Sequence, residues 1–159
     1  MSGVIFTVGN TMQGDDGAGP LLAELLEAQP AACWDVVDGE ASPENHIHRI
    51  RALEPDRVLI VDAADMQLAP GAVRLIDEDC VAQQFLVTTH AIPLNFLIAS
   101  LRETVAKIDF LGIQPKEIGF LFPMAPEVRL AVEALHQDLV SGIEIESFGL
   151  VGGDEPVVT

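Results

Sequence analysis

Gly9-Asn10-Thr11-Met12-Gln13-Gly14-Asp15-Asp16-Gly17-Ala18-Gly19-Pro20 directly follows the apolar run Val4 to Val8. Together they read as a strand running into a helix through a glycine-rich turn that carries two acids. Glycines let the backbone take positive φ and approach a ligand closely, and Pro20 suits the first turn of a helix, where a missing N–H costs nothing. In an open α/β sheet such a turn lies at the carboxyl edge, where ligands bind, and acids there point to a cation or a basic group. Two phosphate-binding motifs share the glycine richness and fail on detail. The order Gly14-x-x-Gly17-x-Gly19 reverses the dinucleotide fingerprint, and no Gly-Lys-Ser/Thr follows. Asp15 and Asp16 would also repel a pyrophosphate.

Outward from this turn, apolar runs alternate with amphipathic stretches. Trp34 to Val37 and Val58 to Val61 read, like Val4 to Val8, as strands buried on both faces, with Ile108 to Ile113 a weaker fourth. Val73 to Ile76, after Pro70-Gly71, is a short strand suited to antiparallel pairing at an edge. A helix follows Pro20, with Leu21, Leu22, Leu25 and Leu26 at helical spacing. Another starts at Ser42-Pro43-Glu44, with Ser42 as N-cap and Pro43 at its first position. Pro93 to Val105 carries the stripe Leu94, Leu97, Ile98 and Leu101, and Ala125-Pro126-Glu127 opens a last helix through Val128, Ala131, Val132, Leu135 and Leu139. The expected fold is an α/β three-layer sandwich around a mainly parallel twisted sheet, with one antiparallel edge strand. Residues 1–150 form its single domain, and Val151 to Thr159, without periodicity, read as a disordered acidic tail.

Composition narrows the function. With 159 residues, 49% of them hydrophobic, the chain can bury one core. A net charge of -17 argues against nucleic acid or an anionic membrane as partner, since both need a basic surface. Aromatics at 5%, with no tyrosine, offer little for stacking bases or sugars. The N-terminal apolar run lacks a basic flank and is too short for an export signal, so a cytoplasmic location is expected. Cys33 and Cys80 stand far apart in no cysteine or histidine cluster and read as reduced thiols, at least one of them packed.

Three groups able to bind metal fall at strand ends or helix starts: Asp16 after the first strand, Asp62 closing Val58 to Val61, and His90 ending Thr88-Thr89-His90. Parallel strands bring such positions to one edge, and two carboxylates with one imidazole suit a borderline divalent ion. Each also has a structural reading, as turn former or cap, which Asp15, Asp38 and Asp65 share. His46 and His48, two apart on a helix, diverge and read as surface residues. None of Ser2, Ser42, Ser100, Ser141 and Ser147 lies in a Gly-x-Ser-x-Gly elbow, which argues against a serine hydrolase. No repeat supplies the two lobes of a pepsin-like protease.

Six ordered blocks resemble the hydrogenase maturation endopeptidase family: GNTMQGDDGAGP (9–20), VDGEASPEN (37–45), LIVDAADM (59–66), TTHAIPLNFL (88–97), FLGIQP (110–115) and GFLFPM (119–124). The resemblance reaches from the N-terminus to about Leu139. It implies a small cytoplasmic α/β/α protease that removes a C-terminal extension from the large-subunit precursor of a nickel-iron hydrogenase. Carried over position by position, the family's metal-contacting residues fall on Asp16, Asp62 and His90. Family members often carry Glu where Asp16 stands, so the first acid here is one methylene shorter. Asp38, in the Asp-Gly block, is a fourth candidate acid. The resemblance further implies an aspartic-type class, nickel borne by the precursor, no organic cofactor, and Asp16 or Asp62 as catalytic base on water. The protein is expected to act as a monomer. Two alternatives use the same triad: a nickel metallochaperone, and a metal-dependent hydrolase of small molecules.

Overall fold

The computed structural model describes residues 2–77 and 94–151. Five strands, β1 (Gly3–Thr7), β2 (Trp34–Asp38), β3 (Arg57–Ala63), β4 (Val73–Ile76) and β5 (Lys107–Ile113), form one sheet in the order β2-β1-β3-β5-β4. All neighbours pair parallel except β4, which runs antiparallel to β5 with Val73 opposite Ile113. The helices are α1 (Ala18–Ala28), α2 (Ile47–Leu53), α3 (Leu94–Arg102) and α4 (Pro126–Val140).

Alternation along each strand builds two cores. Ile5, Leu59, Val61, Leu111 and Ile113 face Leu22 and Leu26 of α1 and Val128, Val132, Leu135 and Leu139 of α4. Their neighbours Val4, Phe6, Val58, Ile60 and Phe110 face Ile50 of α2 and Leu97, Ile98 and Leu101 of α3. Side chains of successive strand residues point to opposite faces, so a strand covered on both sides must be apolar throughout. Central β1 and β3 obey this, and the three-layer expectation holds.

β2 departs from the expected burial on both faces. It is an edge strand with Asp35 exposed and Trp34 and Val36 half-buried. The Trp34 ring is covered by the Arg57 guanidinium, 5.1 Å from its centroid, and Arg57 reaches Asp109 at 3.3 Å.

Ser42 also differs from its reading. It precedes a 3-10 turn, Pro43–His46, that leads into α2, and its side chain makes no capping hydrogen bond. The reason is local: the tighter turn lets Asn45 N–H donate to the Ser42 carbonyl at 3.0 Å, leaving the hydroxyl nothing to satisfy. Ser42→Ala should therefore shift stability by less than about 0.5 kcal/mol, measurable as an unchanged urea midpoint, where a working cap would cost about 1 kcal/mol.

Beyond α4 the chain returns to the sheet edge. Leu75 N–H donates to Gly149 O at 2.7 Å and Val151 N–H to Leu75 O at 2.9 Å, so Val151, where the expected tail begins, lies beside β4. Residues 152–159 lie outside the described residues, as do Cys80 and Pro93; Cys33 is an exposed free thiol. Among the described residues no helix is long and apolar enough to cross a membrane.

Candidate active site

Strand order reverses at β1: β2, next in sequence, lies on one side of it and β3 on the other. The α1 helix that follows β1 covers one face, while α3, further on from β3, covers the other. In such sheets the carboxyl ends of the strands beside a reversal of strand order are the usual ligand position.

The glycine-rich turn follows the carboxyl end of β1. Val8 N–H extends the ladder by donating to Val61 O at 2.9 Å, and the chain then doubles back at Gly9. At Gly9 φ is +154°, and a Cβ would stand 2.1 Å from the Asp16 carbonyl oxygen, so only glycine fits. A Cβ on Gly19 would lie 2.3 Å from the Val8 carbonyl oxygen, which is how closely α1 is seated on the strand end. Gly14–Gly17 forms a 3-10 turn packed against β3. Asn10 N–H donates both to the backbone oxygen and to Oδ2 of Asp16, each at 3.1 Å, which fixes the Asp16 side chain.

Asp16 is 2% exposed and Asp62, next to last in β3, is 0% exposed. Burying a carboxylate is costly unless it is paired or hydrogen-bonded, and both of these interact with other groups of the chain. The structure thus places both expected acids, buried, beyond or at the carboxyl ends of the neighbouring strands β1 and β3. The third candidate, His90, lies outside the described residues. Among the described residues no three acidic, histidine or cysteine side chains are grouped to hold a metal ion.

Asp15, adjacent to Asp16 in sequence, has a different task. It is fully buried, its Oδ2 accepts the N–H groups of Lys116 and Glu117 and its Oδ1 that of Ala125, all at 2.7 Å. Asp15 N–H in turn donates to Glu117 O at 3.1 Å. One carboxylate thereby staples the 116–125 loop to the glycine-rich turn. The exposed ion pair of Lys116 with Glu127, at 3.0 Å, adds a second strap, and the lysine holds the Glu127 carboxyl below its ordinary range. Charge-assisted bonds are worth more than neutral ones, about 1.5–3 kcal/mol each. Asp15→Ala should lower stability by about 3 kcal/mol or more, read from its urea midpoint.

The other acids are turn formers. Asp38, half-buried, accepts Thr7 Oγ1–H at 3.2 Å and Glu40 N–H at 3.0 Å on one oxygen. Asp65 accepts Gln67 N–H at 3.0 Å and Gln114 Nε2–H at 3.2 Å. Gln114, which sequence reasoning passed over, is nearly buried; its Oε1 accepts Met66 N–H at 2.6 Å and Leu68 N–H at 3.3 Å, fixing the chain just beyond Asp62. His46 Nε2 sits 3.9 Å from Glu40 and His48 is exposed, so the two histidines stay apart from the buried acids. His136, buried on α4, pairs its Nε2 with Gln29 O at 3.0 Å and ties α4 to the end of α1.

Two open clefts of about 270 Å³ each flank the glycine-rich turn and share Thr11 and Pro20. The first carries Asp38 and Glu40, the second Leu21, Phe122, Pro123 and Met124.

Known proteins resemble this one in sequence and shape. A family model described as hydrogenase maturation protease matches residues 20–141. The hydrogenase 3 maturation protease of Escherichia coli (strain K12) is 52% identical over 139 residues, covering 87% of this chain and 89% of that protein. The solution structure of the Escherichia coli endopeptidase HycI superposes with a TM-score of 0.88 at 47% identity, covering 98% of this chain and 100% of the other. The crystal structure of the [NiFe] hydrogenase maturation protease HycI from Thermococcus kodakarensis gives a TM-score of 0.78 at 26% identity, over 89% and 93% of the two chains.

Proposed function

This chain belongs to the hydrogenase maturation protease family, and from that premise we propose that it cuts the C-terminal extension from a nickel-iron hydrogenase large-subunit precursor after nickel has been inserted. The likeness to the hydrogenase 3 enzyme supports a hydrogenase 3-type precursor as the substrate. The observation that supports the mechanism is the pair of buried carboxylates, Asp16 and Asp62, at the carboxyl ends of the neighbouring strands β1 and β3.

In this reading Asp16, Asp62 and His90 supply oxygen and nitrogen ligands to nickel that the precursor brings with it. Only metal-loaded precursor gains those contacts, so occupancy is recognised as affinity. The carboxylate of the pair that is not held by nickel at that step takes a proton from water as the water oxygen bonds to the scissile carbonyl carbon; the C–N bond then breaks and the proton passes to the leaving amine. Water activated by a carboxylate makes the enzyme aspartic-type in chemistry without the two-lobed architecture of pepsin. The charge of -17 favours a monomer through self-repulsion, and the family likeness supports a cytoplasmic site of action.

Mass spectrometry of the large subunit tests this reading. The purified chain should shorten the nickel-loaded precursor by one C-terminal peptide. Nickel transfer with the precursor mass unchanged would identify a metallochaperone instead.

A further inference from the structure

An apolar platform stands beside the acid-bearing turn. Met12, Phe120, Leu121 and Phe122 are 50%, 62%, 67% and 47% exposed. They are joined across the chain, since Leu121 N–H donates to Met12 O at 2.7 Å. Leu121 holds φ at +63°, a left-handed conformation that a branched L-residue adopts only at a cost. The side chain is left 67% exposed and belongs to neither core. The platform is also rigidly tied to the site, because Asp15 binds the backbone on both sides of it, at Glu117 and Ala125.

We propose that Met12, Phe120, Leu121 and Phe122 form a docking platform for an apolar segment of the precursor, flanked by basic groups, that lies next to the bond to be cut. The inference rests on the endopeptidase reading and adds where the substrate is held. Exposed apolar patches of this kind mark interaction sites. Met12 and Asp16 are four positions apart, so the two lie within about 14 Å, a span that an extended peptide covers in about four residues. The cleft lined by Leu21, Phe122 and Met124 continues the platform toward the turn, and across Thr11 and Pro20 the neighbouring cleft offers Asp38 and Glu40. The platform's own cleft also holds Glu24 and Arg129, so an apolar stretch whose basic neighbours lie on the Asp38 and Glu40 side fits both. A second copy of this chain fits poorly, because each copy carries -17.

Leu121→Gly provides a test that misfolding cannot imitate. Glycine accepts a φ of +63° without strain, so the melting temperature should hold or rise while the anchor is lost. Phe120→Ser removes a second anchor, and Leu53→Gln, at an exposed leucine on α2, is the control. With nickel-loaded precursor, each platform variant should raise KM about tenfold, the loss of one apolar anchor, with kcat within about twofold. Leu53→Gln should match the wild type. Unchanged KM in both platform variants, with wild-type protein processing normally, overturns the docking proposal alone. Wild-type protein that leaves the precursor uncut overturns the endopeptidase reading and the platform with it. A wild-type dimer that Leu121→Gly converts to monomer assigns the face to a second copy and also overturns the proposal.

Discussion

Asp62→Asn is expected to slow precursor processing by about a hundredfold to ten-thousandfold while the protein stays folded. Asp62 lies fully buried near the end of β3 and is one of the two carboxylates that the proposed mechanism uses. Asparagine keeps the volume and one oxygen, which spares packing. It loses the negative charge that a metal contact needs and the basicity that proton removal needs, and general-base catalysis alone is worth about two to four orders of magnitude. Asp16→Asn should behave alike, since its amide oxygen can still accept the Asn10 N–H and hold the turn. Circular dichroism and a melting curve on each variant separate chemistry from folding. Full processing by either well-folded variant would remove that acid from the site.

Asp15→Ala supplies the contrast, and the contrast shows what could be read from the sequence. Two neighbouring aspartates in a glycine-rich turn look equivalent in a linear chain. Their division of labour depends on Lys116, Glu117 and Ala125, about a hundred residues away, whose N–H groups converge on Asp15 only once α4 and β5 have packed. Gln114 was illegible for the same reason. Nothing in its neighbourhood announces that it fastens Met66 and Leu68 beyond the strand that bears Asp62.

What was legible rests on local physics. β1 and β3 are unbroken apolar runs because helices cover both their faces, and β4 was marked by Pro70-Gly71 before it. β2 carries a similar run, yet its place at the sheet edge is a property of strand order, which periodicity does not encode. The same limit applies to the site. The positions of Asp16 and Asp62 at strand ends follow from the pattern of residues, whereas the reversal of strand order that makes β1 and β3 neighbours does not. Ser42 was misjudged because its helix begins as a 3-10 turn, in which the backbone carbonyl does the work assigned to the hydroxyl.

Precursor that carries nickel should be cut and precursor that has never met nickel should not, even when the protease itself has been stripped of metal. Two carboxylates and an imidazole lack the thiolates that hold nickel or zinc very tightly, so the isolated protein should bind added metal weakly and depend on ligands the substrate provides. The all-or-none difference exceeds that expected for any substitution at a single acid, because unloaded substrate forfeits every metal contact at once. The decisive measurement is to treat the protease with excess chelator, remove the chelate, and follow the mass of the large subunit after adding loaded or nickel-free precursor. Rapid shortening of the loaded form with none of the nickel-free form is the expected result; equal shortening of both, or activity restored only by returning metal to the protease, would contradict it.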